Sequence, residues 1–160
     1  MKTLILTFFS VFTFISCNKN DDNVLLPNDN SNFVPINITP ILIGNGQLSG
    51  DGEEGIVQSN IVITNTIQWQ NLLNQMNSIN NVSNSFTETS IDFTQYQILA
   101  VFDNIFGEDG HSISITSVIE NLNTINVTIQ SDYVTNYFAV QKQPYSIVKI
   151  PKSTKLVVFE

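Results

Sequence analysis

At 160 residues with 42% hydrophobic side chains, the chain has the size and composition of one globular domain, large enough to fold without disulfide or metal. A net charge of -8, with six lysines and no arginine, argues against nucleic acid as a partner, because replacing phosphate counterions takes a dense set of cations. Cys17 is the single cysteine, so no intrachain disulfide can form.

The chain opens on Met1-Lys2 and an apolar run over 4–15, a charged start and hydrophobic stretch of signal-peptide length. It is too short for a transmembrane helix, which needs about 20 apolar residues. The run ends Phe14-Ile15-Ser16-Cys17, which resembles the lipobox of bacterial lipoproteins, with phenylalanine where leucine is usual. The resemblance implies cleavage after residue 16 and a diacylglyceryl, further acylated Cys17 that anchors the chain to a membrane; several acyl chains give stable anchorage. Residues 17–33, rich in Asn and Asp, read as a solvated tether. Within it, Asn18-Lys19-Asn20-Asp21-Asp22 also resembles the signal that exports some outer-membrane lipoproteins to the cell surface. Both a surface and an inward-facing anchor stay open.

A folded domain is expected over 34–160. Val34, Ile36, Ile38, Ile41 and Ile43 give short β-like runs broken by Pro35 and Pro40, as at a sheet edge. The glycine-rich stretch 44–55 predicts a loop, and the branched residues of 56–64 a strand. Trp69, Leu72, Leu73 and Met76 recur at helical spacing, with Asn65 or Thr66 as cap, so one amphipathic helix is expected with Trp69 in the core. Residues 77–90 form a long polar connection.

The rest is strand. Residues 97–102 are a continuous apolar run suited to burial on both faces. Ile113 and Ile115, then Ile125, Val127 and Ile129, alternate with polar residues on either side of a turn at 120–123, which predicts a hairpin with its isoleucines on one face. Residues 145–150 and 156–159 complete an α+β domain, an antiparallel sheet of about six to seven strands with one packed helix.

Chemistry-bearing residues are sparse. His111 is the only histidine, and neither Ser112 nor another serine paired with Asp103 or Asp109 lies in a nucleophile-elbow sequence. Zinc lacks Cys and His ligands; Asp51, Glu53 and Glu54, or Asp103, Glu108 and Asp109, do not follow a calcium-loop spacing. No cofactor and no catalytic site are expected. Charge is nevertheless uneven: 17–141 carries one lysine against thirteen acids, whereas 142–160 carries four lysines against one acid. Lys142, Lys149, Lys152 and Lys155 therefore read either as guards of a sheet edge or as a docking surface for an acidic partner.

Four stretches carry a family resemblance: Trp69 with Leu72 and Leu73; Ile91-Asp92-Phe93 before the apolar strand; the turn 107–111; and Gln143-Pro144-Tyr145-Ser146-Ile147-Val148-Lys149-Ile150-Pro151-Lys152. In order and spacing the chain from Val34 resembles the C-terminal domain of the protease complex subunit PrcB family. That resemblance implies a lipoprotein that accompanies or stabilises a surface protease. The family's Gly-Gly-Tyr type turn is here Asp109-Gly110-His111, which keeps the second glycine and replaces the aromatic. The expected function is a non-catalytic protein-binding module of the cell envelope, held at the outer membrane, with Gly107, Gly110, His111, Lys149, Lys152 and Lys155 as candidate partner contacts. A protease inhibitor presenting the 107–111 turn is the second reading, and an enzyme the third.

Overall fold

The computed structural model describes residues 33–49, 51–135 and 139–160 of the chain. The expected signal peptide, the expected lipidation site Cys17 and the expected tether up to residue 32 lie outside the described residues. Eight strands and one helix follow in order: β1 (Ile36–Asn37), β2 (Ile41–Leu48), β3 (Ser59–Ile63), α1 (Thr66–Met76), a 3-10 turn (Val82–Ser85), β4 (Tyr96–Phe102), β5 (His111–Glu120), β6 (Thr124–Tyr133), β7 (Gln143–Pro151) and β8 (Leu156–Phe159). They form two four-stranded sheets, ordered β1-β5-β6-β8 and β2-β7-β4-β3. All neighbours are antiparallel except β6 and β8.

The class is α+β as expected, but the single sheet of six to seven strands is corrected to two sheets with eight strands. Periodicity reports which face of a strand is buried and is silent on its neighbours, so one sheet and two read alike. A second correction falls on residues 44–48, expected as loop. They belong to β2, which runs along β7 from Ile41 to Leu48 with a bulge between Leu42 and Gly44. Glycine there serves a close approach: a Cβ on Gly44 would stand 2.6 Å from Cε1 of Phe86 and closer still to its Cδ1.

Helix α1 begins where its cap allows. The Asn65 side chain accepts a hydrogen bond from the backbone N–H of Gln68 at 3.0 Å, and the helix stops at Asn77, whose N–H donates to the Leu73 carbonyl. Its apolar stripe, Trp69, Leu72, Leu73 and Met76, is buried against the second sheet with Ile43, Ile98, Phe102, Tyr145 and Ile147. Removing each such side chain from water stabilises the fold by about 1.5–3 kcal/mol. Trp69 also donates from its indole nitrogen to the Thr89 carbonyl at 2.8 Å, so its polar edge is satisfied inside the core.

A second core lies between the sheets. Leu99, Val148 and Ile150, from the opposite faces of β4 and β7, pack on Val118, Ile125 and Val127 of β5 and β6. Strands β4 and β7 are thus covered on both sides, which is why 97–102 reads as an unbroken apolar run. The result is three layers: helix, sheet, sheet.

Candidate functional site

The turn at 107–111 joins the end of β4 to the start of β5. Phe106 and Lys142 form an isolated antiparallel bridge at its base, with hydrogen bonds of 2.8 and 3.0 Å in the two directions. Gly110 has φ 101, a left-handed conformation that a side chain would strain, and its carbonyl accepts from Val134 N–H at 3.0 Å. Asp109 turns its own carboxylate back to accept from Gly110 N–H at 2.8 Å. Gly107 differs: its φ is ordinary, and a Cβ there would meet nothing within 4 Å.

His111 is the first residue of β5 and faces Tyr133 of β6. Its ring lies between two others, stacked on Phe106 at 3.6 Å and 4° and on Tyr133 at 4.4 Å and 29°. Nε2 points toward Glu108 at 3.7 Å, a contact that becomes an ion pair when the imidazole is protonated. The histidine is only 18% exposed although the adjoining Gly107 and Glu108 are open to solvent. Its backbone carbonyl accepts from the Gln47 side chain at 2.7 Å, which ties the turn to β2. Beside the turn, Gln47, His111, Ser112 and Lys142 line an open polar cleft of about 440 Å³ that reaches Asn45 and Gly46.

The other candidate residues lie elsewhere. Lys155 bonds the Asn121 carbonyl at 2.7 Å, pairs with Glu120 at 2.9 Å and lies over the Phe33 ring. That is the far end of β5 from His111, and a ten-residue strand spans about 30 Å. Lys152 donates to the Phe93 carbonyl at 2.6 Å. Lys149 pairs with Glu88 at 2.5 Å over the Tyr96 ring and is 14% exposed. Each of the three ammonium groups has an internal partner, so these lysines act as clips between β7 or β8 and neighbouring loops. Lys142 is the lysine beside the turn, where it donates to Ser49 Oγ at 2.7 Å.

The acidic candidates also have local tasks. Asp103 is buried, accepting from Asn104 N–H and from Ser131 Oγ at 2.9 Å, which fastens the end of β4 to β6. Glu54 is buried in the loop before β3. Among the described residues no group of three or more His, Cys, Asp or Glu is placed to hold a metal ion, and the side-chain partners of His111 are Phe106, Glu108 and Tyr133 rather than a serine.

Among the described residues, two titrating groups are displaced from their ordinary range. The Thr94 hydroxyl, its backbone N–H and Gln95 all donate to Asp92 and hold its carboxyl below the usual value. Burial pushes the Tyr145 phenol up, with a hydrogen bond to Ser85 opposing it in part. Both belong to the scaffold and lie outside the turn.

Of the site, the sequence identifies His111, the glycines and, among the C-terminal lysines, Lys142, and misses Phe106, Tyr133 and Gln47. The signal that assembles them is strand register, His111 opposite Tyr133, which only the paired structure supplies. Among the described residues no helix is long and apolar enough to cross a membrane. Comparison with protein-family models, with curated proteins and with solved structures gives no match to this chain.

Proposed function

We propose that this chain is a lipid-anchored protein of the cell envelope whose domain is a non-catalytic assembly module, presenting the 107–111 turn to a secreted or surface protease. The observation that carries the reading is the clamped histidine: His111 is held between Phe106 and Tyr133 while Gly107 and Glu108 project into solvent. A loop already ordered in the free protein binds without the entropy cost of ordering it, and rigid loops on a sheet are where recognition concentrates. The resemblance to the PrcB family points to the same class of partner. The imidazole, a flat ring where that family has an aromatic, keeps a stacked arrangement possible.

The test is recovery of the anchored chain from its own membranes, followed by protease assay of what accompanies it. Assembly predicts a protease in stoichiometric amount, at least as active and longer-lived with this chain than without it. Suppressed activity supports the inhibitor reading of the same turn instead, and the lack of any protease removes both.

A further inference from the structure

The chain enters the domain at the end opposite to the 107–111 turn. Phe33, the first described residue, lies under the Lys155 ammonium, which bonds the Asn121 carbonyl between β5 and β6. Strand register places the neighbours: Ile36 of β1 faces Glu120 at the end of β5, and Leu156 of β8 faces Thr124 at the start of β6. Phe33, Val34, Ile36, Ile119, Leu122 and Leu156 are all exposed around this end, Val34 to 73% and Leu156 to 68%. Beside them the space between the two sheets opens as a cleft of about 350 Å³, lined by Ile36, Ile38, Ile125 and Pro151. Single exposed apolar residues are ordinary, but a group of six at one end is a patch, and patches mark contact with protein or membrane.

Charge divides along the same axis. At the entry end Lys152 and Lys155 stand against Asp92 and Glu120, so that end is balanced. The acid excess lies at the other end. There the 51–54 loop joins the far ends of β2 and β3, Glu108 and Asp109 lie in the turn, and Asp132 faces Ser112, with Lys142 as the cation beside them. A bilayer that carries anionic lipid repels such a cluster of carboxylates and tolerates the balanced, apolar end.

We infer that this apolar end rests on the bilayer that holds the chain, with Val34, Leu122 and Leu156 in the lipid interface and the 107–111 turn presented away from it. The inference rests on the lipid-anchor reading of Cys17. Where the chain enters selects lipid as the occupant: residues 18–32 are all that separates Phe33 from Cys17, a span of at most about 50 Å. Tethering on that scale gives the bilayer a high effective concentration at the patch, and any protein docking there has to fit between the domain and its own membrane. Contact strength of this kind scales with the apolar area that enters the interface. Strand β5, about 30 Å long, then carries His111 from the lipid side to the outward side, so the same orientation that covers the patch exposes the turn.

The test is lipid quenching of a fluorophore on the full acylated chain. Acylation consumes the Cys17 thiol, so Val34→Cys, Leu122→Cys and Leu156→Cys each take the label at one place, as do Asn74→Cys on α1 and Gly107→Cys in the turn. The labelled chains are reconstituted in vesicles of phosphatidylethanolamine and phosphatidylglycerol whose acyl chains carry a nitroxide near the headgroup. An apolar face in the interface lies about 5–10 Å deep, so quenching at the three patch positions should exceed that at Asn74 and Gly107 by about fivefold or more. Adding Leu122→Glu and Leu156→Glu, at exposed side chains, should leave the denaturation midpoint in place and bring quenching at Val34 down to the control level. Equal quenching at all positions, a Val34 signal indifferent to the two glutamates, or a blue-shifted but unquenched probe, which means cover by protein, each overturn the inference and leave the anchor standing. A chain that takes up no labelled fatty acid and separates from the vesicles removes the anchor reading, and this inference with it.

Discussion

Gly44→Ala is a one-carbon change with a large expected effect. Gly44 is buried in β2 with an ordinary φ, so alanine is compatible with the backbone; the obstacle is the Phe86 ring, whose Cε1 lies 2.6 Å from the added Cβ. Phe86 cannot simply swing away, because it stacks on Trp69 at 6.3 Å on one side and packs on Tyr145 at 6.1 Å on another. Overpacking of this kind costs about 1–3 kcal/mol. At a urea dependence of about 2 kcal/mol per M, the midpoint should fall by roughly 0.5–1.5 M. Trp69, the only tryptophan, reports the transition by its fluorescence. In a Phe86→Ala background the clash is gone, and Gly44→Ala should be neutral or stabilising by about 0.4–1 kcal/mol through the unfolded chain. The double-mutant cycle therefore carries a coupling of about 1–4 kcal/mol. An unchanged midpoint in the parent, or the same loss in both backgrounds, refutes the packing argument.

Trp69→Ala removes the largest buried side chain and leaves the Thr89 carbonyl without its donor, so a loss of about 3–5 kcal/mol is expected, read as rapid proteolysis of the variant. Because burial raises the Tyr145 phenol above its ordinary 10.0, the stabilisation tied to its neutral form is complete below pH 10 and lost as pH rises beyond it. Tyr145→Phe should flatten that alkaline decline in a denaturation series, and an identical decline in the variant counts against it. Cys17→Ala should leave an uncleaved or soluble precursor that takes up no labelled fatty acid, whereas equal labelling of both chains removes the anchor from the account.

Local patterns were legible in the sequence, and non-local pairings were not. The helix is written in the spacing of Trp69, Leu72, Leu73 and Met76, and the doubly buried strand in the run up to Phe102, since each depends on one element's own period. The partition into two sheets depends on which strands meet, and the parallel approach of β8 to β6 leaves no mark on 156–159. Gly44 and Gly46 read as loop because glycine is common in turns; in β2 the first makes room for an aromatic ring. The lysine cluster is contiguous in sequence and dispersed in the fold, because Lys149, Lys152 and Lys155 each find a different carbonyl or carboxylate partner. Of the turn, the single histidine is visible in the sequence, while its flanking rings come from positions 106 and 133.

The proposal rests on the turn as the contact, and Gly107→Arg tests it most directly. A side chain at residue 107 enters open space, so the denaturation midpoint should stay at the parent's value while the bulk blocks whatever docks there. Asn74→Arg, on the exposed side of α1, adds the same charge away from the turn and serves as control. The protease recovered with the anchored chain should fall about tenfold or more for Gly107→Arg and remain unchanged for Asn74→Arg. Equal recovery with both variants contradicts the account and places the contact elsewhere on the domain.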